Sequence, residues 1–259
     1  MPELYLNIMT GEVVSPKLVA LFTDFGEKGP YHGQMRAVLA AAGIDQQVVQ
    51  LMADAPRFSP KSSAYLLAAI ANDLPVGALV IAVVDPGVGS ERRPILVKDS
   101  NQWFIGPDNG LLSQVARRSG SAETEEIVWR PERLSNSFHG RDLFAPVAAA
   151  ICKQEYLSGP KLANDSLCGI DWPDDLAEVI YIDGFGNAVS GIRAAAVSKD
   201  ELISAAGAKV GYARTFSQVN MGTAFWYENS MGLIEIAVNQ GSAAESLGLT
   251  VGSSIGWDK

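Results

Sequence analysis

The chain is poor in sulfur and in histidine: its 259 residues include 2 cysteines, Cys152 and Cys168, and 2 histidines, His32 and His139. Two cysteines make neither a disulfide framework nor a Cys-rich metal site, so both are read as buried or half-buried reduced thiols. Two histidines and scattered acids do not reproduce zinc-ligand spacing, and no metal is implied. Basic charge is scarce as well. With 20 Lys and Arg against 29 Asp and Glu, the net charge is -9, which argues against nucleic acid, a partner bound through clustered cations. No apolar run reaches the roughly 20 residues of a membrane span, and the start lacks the basic-then-apolar order of a secretory leader. No membrane contact and a cytoplasmic location are expected. No Gly-x-Gly-x-x-Gly follows the first apolar run and no Gly-Lys-Ser/Thr loop occurs anywhere, so dinucleotide and nucleoside-triphosphate readings lose their strongest support.

From Leu18 onward the chain alternates short β-type runs with helical stretches, the signature of βαβ units around a parallel sheet. Residues 18–22 are the first predicted strand, 31–42 the first helix, with Met35, Val38 and Leu39 at helical spacing, and 48–53 the second strand. Ser59 and Pro60 form a cap and first-turn pair for a helix reaching about Asn72. The apolar run 78–84 is a buried third strand, 95–98 and 103–105 a hairpin, and 142–153 a helix. The turn-rich stretch 158–175 is taken as a boundary between an α/β unit, 1–165, and a second unit, 172–259. In the latter, β-type runs at 179–182, 188–192, 224–227 and 233–238 suggest a small antiparallel barrel. Residues 1–17 and 193–214 carry no readable motif.

Asp85 follows the third apolar run directly and opens the segment Asp85, Pro86, Gly87, Val88, Gly89, Ser90, Glu91, Arg92. A carboxylate there stands at the carboxyl edge of a buried strand, where open α/β sheets form ligand crevices. The glycines allow a tight turn that returns Arg92 toward it. His139, between Phe138 and Gly140, completes a set of acid, fixed cation and imidazole suited to handling a proton or orienting a water. Asp24 closes the first strand, where its two acceptor oxygens suit the paired hydroxyls of a ribose, although a helix-capping role explains it equally well. His32 has no motif around it and is read as a surface or capping residue. The segments 183–187, 227–232 and 107–110 read first as turns, which can also present polar groups to a ligand.

Together, the segments 23–26, 85–92, 107–112, 138–142, 183–187 and 229–239 resemble the adenosine-forming S-adenosyl-L-methionine (SAM) hydrolases. These are also called SAM hydroxide adenosyltransferases, and are relatives of the fluorinating and chlorinating SAM enzymes. The likeness runs from about Leu18 to the C-terminus, with the motifs in order in both halves. It implies a Rossmann-like N-terminal domain with a mostly parallel sheet, a small C-terminal β-barrel and a homotrimer with sites between subunits. It further implies that SAM and water give adenosine and L-methionine with no cofactor. Carried over by motif, Asp85, Arg92 and His139 hold the attacking water or hydroxide. Asp24 binds the ribose, Asn187 the adenine, and Phe216 stacks; Asp183 and Ser230 meet the methionine end, and Phe58 forms an aromatic wall.

The halogenating relatives carry Tyr where this chain has Asp85 and His139, and the fluorinating ones a Ser where it has Gly140. A carboxylate at Asp85 repels a halide, so hydrolysis is favoured over halide-dependent adenosyl transfer. Two further alternatives stand: a non-catalytic module binding adenosine or SAM, and a metal-dependent hydrolase built on Asp24, Asp85, Asp108 and His139.

Overall fold

The computed structural model describes residues 15–257; residues 1–14 and 258–259, including most of the motif-free opening stretch and both outer ends of the two units, lie outside the described residues. The large sheet has seven strands: β1 (Leu18–Thr23), β2 (Gln47–Met52), β3 (Ala78–Val83), β4 (Pro94–Lys98), β5 (Gln102–Pro107), β6 (Glu123–Glu126) and β7 (Lys161–Leu162), in the order β2-β1-β3-β5-β4-β6-β7. The ladders from β2 through β1 and β3 to β5 are parallel, and the rest, beginning with the expected β4–β5 hairpin, are antiparallel.

β1 and β3 are continuous apolar runs because both of their faces are covered. Val19 and Leu21 of β1 and Leu79, Ile81 and Val83 of β3 pack toward α1 (Tyr31–Ala41) and α4 (Ala145–Cys152), while Ala20, Phe22, Val80 and Ala82 pack toward α2 (Pro60–Ile70) and α3 (Ser113–Ser119). α2 starts as the sequence predicts, with Ser59 accepting from the Ser62 N–H and Pro60 in the first turn. α1 and α2 lie on opposite faces, so the chain changes direction between β1 and β3. That is the switch point at which such sheets open a crevice beyond their strand ends.

The C-terminal part holds a four-stranded antiparallel sheet of β8 (Leu176–Ile182), β9 (Ala188–Arg193), β12 (Ala224–Glu228) and β13 (Leu233–Val238), in the order β12-β13-β9-β8. A three-stranded sheet of β10 (Ile203–Ala205), β11 (Ala208–Val210) and β14 (Ile255–Trp257) faces it across a shared core that includes Val179, Ile203, Trp226, Ile236 and Ile255. The expected barrel is thus resolved as two separate sheets whose ladders do not close; isolated bridges Glu178–Ser254 and Tyr212–Trp226 lie between them. Two of the short strands fall in the motif-free stretch 193–214, where three-residue runs are too brief for any period to register.

The stretch 158–175 is packed rather than free: Trp172 covers Gly110 and Gly169, the Tyr65 hydroxyl donates to the Pro173 carbonyl at 2.5 Å, and Leu167 joins the core beside α3. Cys152 is buried as expected, whereas Cys168 is exposed, since the turn carrying it runs along the surface.

Candidate active site

Asp24 follows β1 and Asp85 follows β3 by two residues, which places both at the switch point. Asp24 Oδ2 accepts from the Phe58 N–H at 3.1 Å, and Phe58 adopts the left-handed conformation, φ 57°. Holding a bulky residue there costs on the order of 1 to 3 kcal/mol, and the bond to Asp24 is among the contacts that hold it. Burial raises the pKa of Asp24, opposed by the Phe58 N–H and by Arg57.

The 85–92 turn is closed by Val88 N–H to Asp85 O at 3.2 Å and Ser90 N–H to Gly87 O at 3.1 Å. Gly89 has φ 83°, and a Cβ on it would stand 2.6 Å from the Asn136 carbonyl oxygen. Only glycine therefore lets this turn dock against the loop that leads to His139. Arg92 returns to Asp85 as the spacing predicts. Its Nε lies 2.7 and 2.6 Å from the two carboxylate oxygens and its Nη2 also donates to Oδ2, with both side chains buried. The guanidinium stands over the Phe144 ring, 5.8 Å from its centroid.

Arg92 Nη2 lies 3.0 Å from His139 Nδ1. A guanidinium can only donate, so Nδ1 accepts and the neutral ring carries its proton on Nε2. Burial, and then the Arg92 charge, push the His139 pKa down from 6.5, against the pull of Asp85. The expected helix over 142–153 begins instead with a π-turn, Gly140–Phe144, directly after His139. Such turns sit in helices at a cost in regularity and concentrate at functional sites. Here the turn accommodates Gly140, where a Cβ would press on Phe138 and on the Met35 sulfur at 3.2 and 3.3 Å.

Asp24, Phe58, Asp85 and His139 line one cavity of about 120 Å³, together with Phe25 and Phe138. Arg92 stands behind it, bonded to both Asp85 and His139. Phe58 lines this cavity while 76% of its surface stays exposed.

The C-terminal candidates lie elsewhere in the chain. Asp183 organises the β8–β9 turn, accepting from the backbone N–H groups of Phe185 and Asn187 at 2.9 and 2.8 Å and from Asn187 Nδ2 at 3.0 Å. Phe216 packs edge-on against Phe225 and Tyr227, at 5.0 and 5.5 Å between centroids. Ser230 is exposed on the β12–β13 turn. None of Asp183, Asn187, Phe216 and Ser230 lines the Asp24–His139 cavity.

Several supporting residues escaped the sequence reading. Asn109 Nδ2 donates to Val84 O at 2.9 Å and stands 3.5 Å from Asp85 Oδ1, while its own Oδ1 takes the Leu111 N–H. Its only sequence signal was a turn motif. Glu235 is buried, accepts from Tyr227 Oη and, at 2.9 Å, from Asn229 Nδ2, and so braces the turn bearing Ser230. His32 is half-buried and makes no cap to the helix: its Nε2 lies 2.5 Å from the hydroxyl of fully buried Thr23, beside Asp24. Asp108 accepts from Arg93 Nε at 3.0 Å and from the Cys168 N–H at 2.9 Å, so it is committed outside the cavity. Among the described residues no group of three or more His, Cys, Asp or Glu is placed to hold a metal ion, and no helix is long and apolar enough to cross a membrane.

Fold and site define an α/β protein whose small-molecule crevice, at the β1/β3 switch point, ends in a paired acid and guanidinium with an imidazole against them. Residues 19–159 match the SAM hydroxide adenosyltransferase N-terminal domain, and residues 177–256 the C-terminal domain of the same family. The chain belongs to the SAM hydroxide adenosyltransferase family. It is 36% identical to a Thermus thermophilus protein named (R)-S-adenosyl-L-methionine hydrolase, over 92% of this chain and 98% of that one. A Salinispora arenicola protein of the same name is 32% identical over 94% and 98%. In solved structures, an uncharacterized conserved protein from Thermotoga maritima superposes with TM-score 0.83 at 29% identity, covering 93% of this chain and all of that one. A conserved hypothetical protein from Thermus thermophilus gives TM-score 0.74 at 34% identity, with the same coverage.

Proposed function

We propose that this protein is an enzyme that hydrolyses S-adenosyl-L-methionine to adenosine and L-methionine, by in-line attack of a water or hydroxide on the ribose C5′. The observation that carries the reading is the buried Asp85–Arg92–His139 cluster at the deep end of the crevice that Asp24 enters. The relatives' shared name, (R)-S-adenosyl-L-methionine hydrolase, supports it. In the reaction the oxygen of water bonds to C5′, the C5′–S bond breaks with its electron pair going to sulfur, and one proton is released. The sulfonium is already an activated leaving group, so no cofactor is needed.

Orientation carries most of the rate. Holding a nucleophile in line is worth roughly 7 to 11 kcal/mol, more than a single proton acceptor supplies. With Nδ1 occupied by Arg92, His139 presents Nε2–H as a donor to the water oxygen, and Asp85 is the acceptor that aligns its proton. Asp24 takes the two ribose hydroxyls. Phe58 borders the sugar, Asn187 and Phe216 hold the adenine, and Asp183 and Ser230 meet the methionine end.

A cavity of about 120 Å³ is far smaller than the substrate, and the C-terminal candidates do not line it within one chain. The reading is therefore a homotrimer in which a neighbouring copy supplies Asp183, Asn187, Phe216 and Ser230, with exposed Phe58 and Phe185 at the junction. The two C-terminal sheets are read as one small open barrel, which the bridges Glu178–Ser254 and Tyr212–Trp226 support. The setting is cytoplasmic.

Incubation with each sulfonium epimer of SAM, followed by chromatography, tests the reading: adenosine and methionine are expected in equal amounts. Formation of 5′-chloro-5′-deoxyadenosine in chloride would favour halide transfer, and binding without products a non-catalytic module. Mixing Asp85→Ala with Asn187→Ala subunits should restore part of the activity if sites are shared between copies.

A further inference from the structure

A second cavity, of about 340 Å³, also borders the catalytic cluster: the rear cavity, with the Asp24–His139 cavity as the front one. Among the described residues His139 alone lines both cavities: Asp85 faces the front one, with Asp24 and Phe58, and Arg92 faces the rear one. Polar groups of Ser90, Glu91, Glu126, Arg130 and Asn136 border the rear cavity. We propose that this rear cavity is the route by which the attacking water enters, and its proton leaves, while substrate closes the front. The proposal rests on the hydrolytic reading above.

In-line attack requires the water to stand on the side of C5′ opposite the sulfur, which is the deep end of the front cavity. A water takes about 30 Å³ in the liquid, so a front cavity of about 120 Å³ holds about four waters, which a seated sugar would displace. Each turnover nevertheless consumes one water and liberates one proton at that closed end. The rear cavity is lined by both nitrogen-bearing side chains of the cluster, Arg92 and His139, which are bonded to each other. Its size admits several waters, and its rim offers the polar partners that an ordered water needs. Entry from behind also delivers water to the imidazole and guanidinium before it meets the electrophilic carbon, so the oriented molecule is the one that reacts.

The test fills the rear cavity while leaving the three residues of the cluster unsubstituted. Leu134→Trp places a large side chain in it, and Asn136→Trp does so from an exposed position, leaving in place the backbone carbonyl that faces Gly89. In both, kcat for SAM hydrolysis should fall at least tenfold, while KM, the Kd for adenosine measured by calorimetry, and the pH profile of kcat/KM stay within twofold of wild type. Turnover within twofold of wild type in both variants overturns the route. So does a rise in KM and Kd that matches the loss of kcat, because the substitutions would then be acting on the substrate pocket. A wild-type protein that forms no adenosine from SAM overturns the hydrolytic reading itself and the route with it, whereas active filled variants overturn the route alone.

Discussion

Replacing Arg92 by Ala removes the cation from a carboxylate that is 3% exposed and leaves Asp85 with one weak donor, Asn109 at 3.5 Å. Breaking a buried ion pair from one side costs about 3 to 5 kcal/mol, chiefly for the charge left without a partner. In a chain of this size each kcal/mol moves Tm by roughly 2 to 4 °C, so Arg92→Ala should melt roughly 6 to 20 °C below wild type. The lower part of that range is expected, because Asp85 also borders the front cavity, where water can reach it. The double variant Asp85→Leu/Arg92→Met removes both charges and fills their volume. Exchange of a buried pair for apolar side chains is often neutral or stabilising, so this variant should recover most of the lost Tm. Turnover should recover in neither, with a loss of roughly 100-fold or more from the missing water-orienting groups. Thermal melts and urea midpoints give the stability and adenosine formation the rate. A single variant within about 1 kcal/mol of wild type, or a double variant that regains turnover, refutes the assignment of this pair as both buried and catalytic.

Three further outcomes follow from the same geometry. Gly89→Ala, which drives a methyl toward the Asn136 carbonyl at positive φ, should lower both urea midpoint and turnover, and a wild-type midpoint would show that the turn does not dock there. Asn109→Ala removes the amide donor to Val84 O and Asp85; a loss of about 1 to 3 kcal/mol in stability, with kcat falling more than KM changes, is expected by urea unfolding and steady-state kinetics. The pKa values of His139 and His32 are both lowered by burial, so the folded protein binds fewer protons than the unfolded chain just below pH 6.5. Stability from these groups is present above that value and is lost as pH falls through their depressed folded pKa values. Turnover that needs neutral His139 should fail over the same acid range, and an acid limb centred above 6.5 would contradict the arrangement.

Much of the architecture was legible because its signals are local. The runs 18–22 and 78–84 read as strands, Ser59–Pro60 reads as a helix start, and the glycines of 85–92 allowed Arg92 to return to Asp85. The short strands β10, β11 and β14 and the π-turn after His139 were not legible, since three residues define no period and a π-turn carries no side-chain code. Asn109 and Glu235 were hidden for a related reason: each looks like an ordinary turn or strand residue until the chain portion it braces is brought beside it. The contact of His32 was not legible because its partner, Thr23, lies nine positions away across a strand-to-helix connection.

By itself the sequence determined which residues are apolar enough to form the central strands, which turns require glycine, and that an acid, a guanidinium and an imidazole are available near strand ends. Periodicity and turn chemistry act over a few residues, so they are written in the order of the chain. The tertiary structure alone decided that Asp85 and Arg92 are buried as a pair, that Arg92 takes the Nδ1 lone pair of His139, and that two cavities border that imidazole. Those facts depend on groups 47 residues apart meeting across packed elements, and distance through space is set by the whole core rather than by any local run.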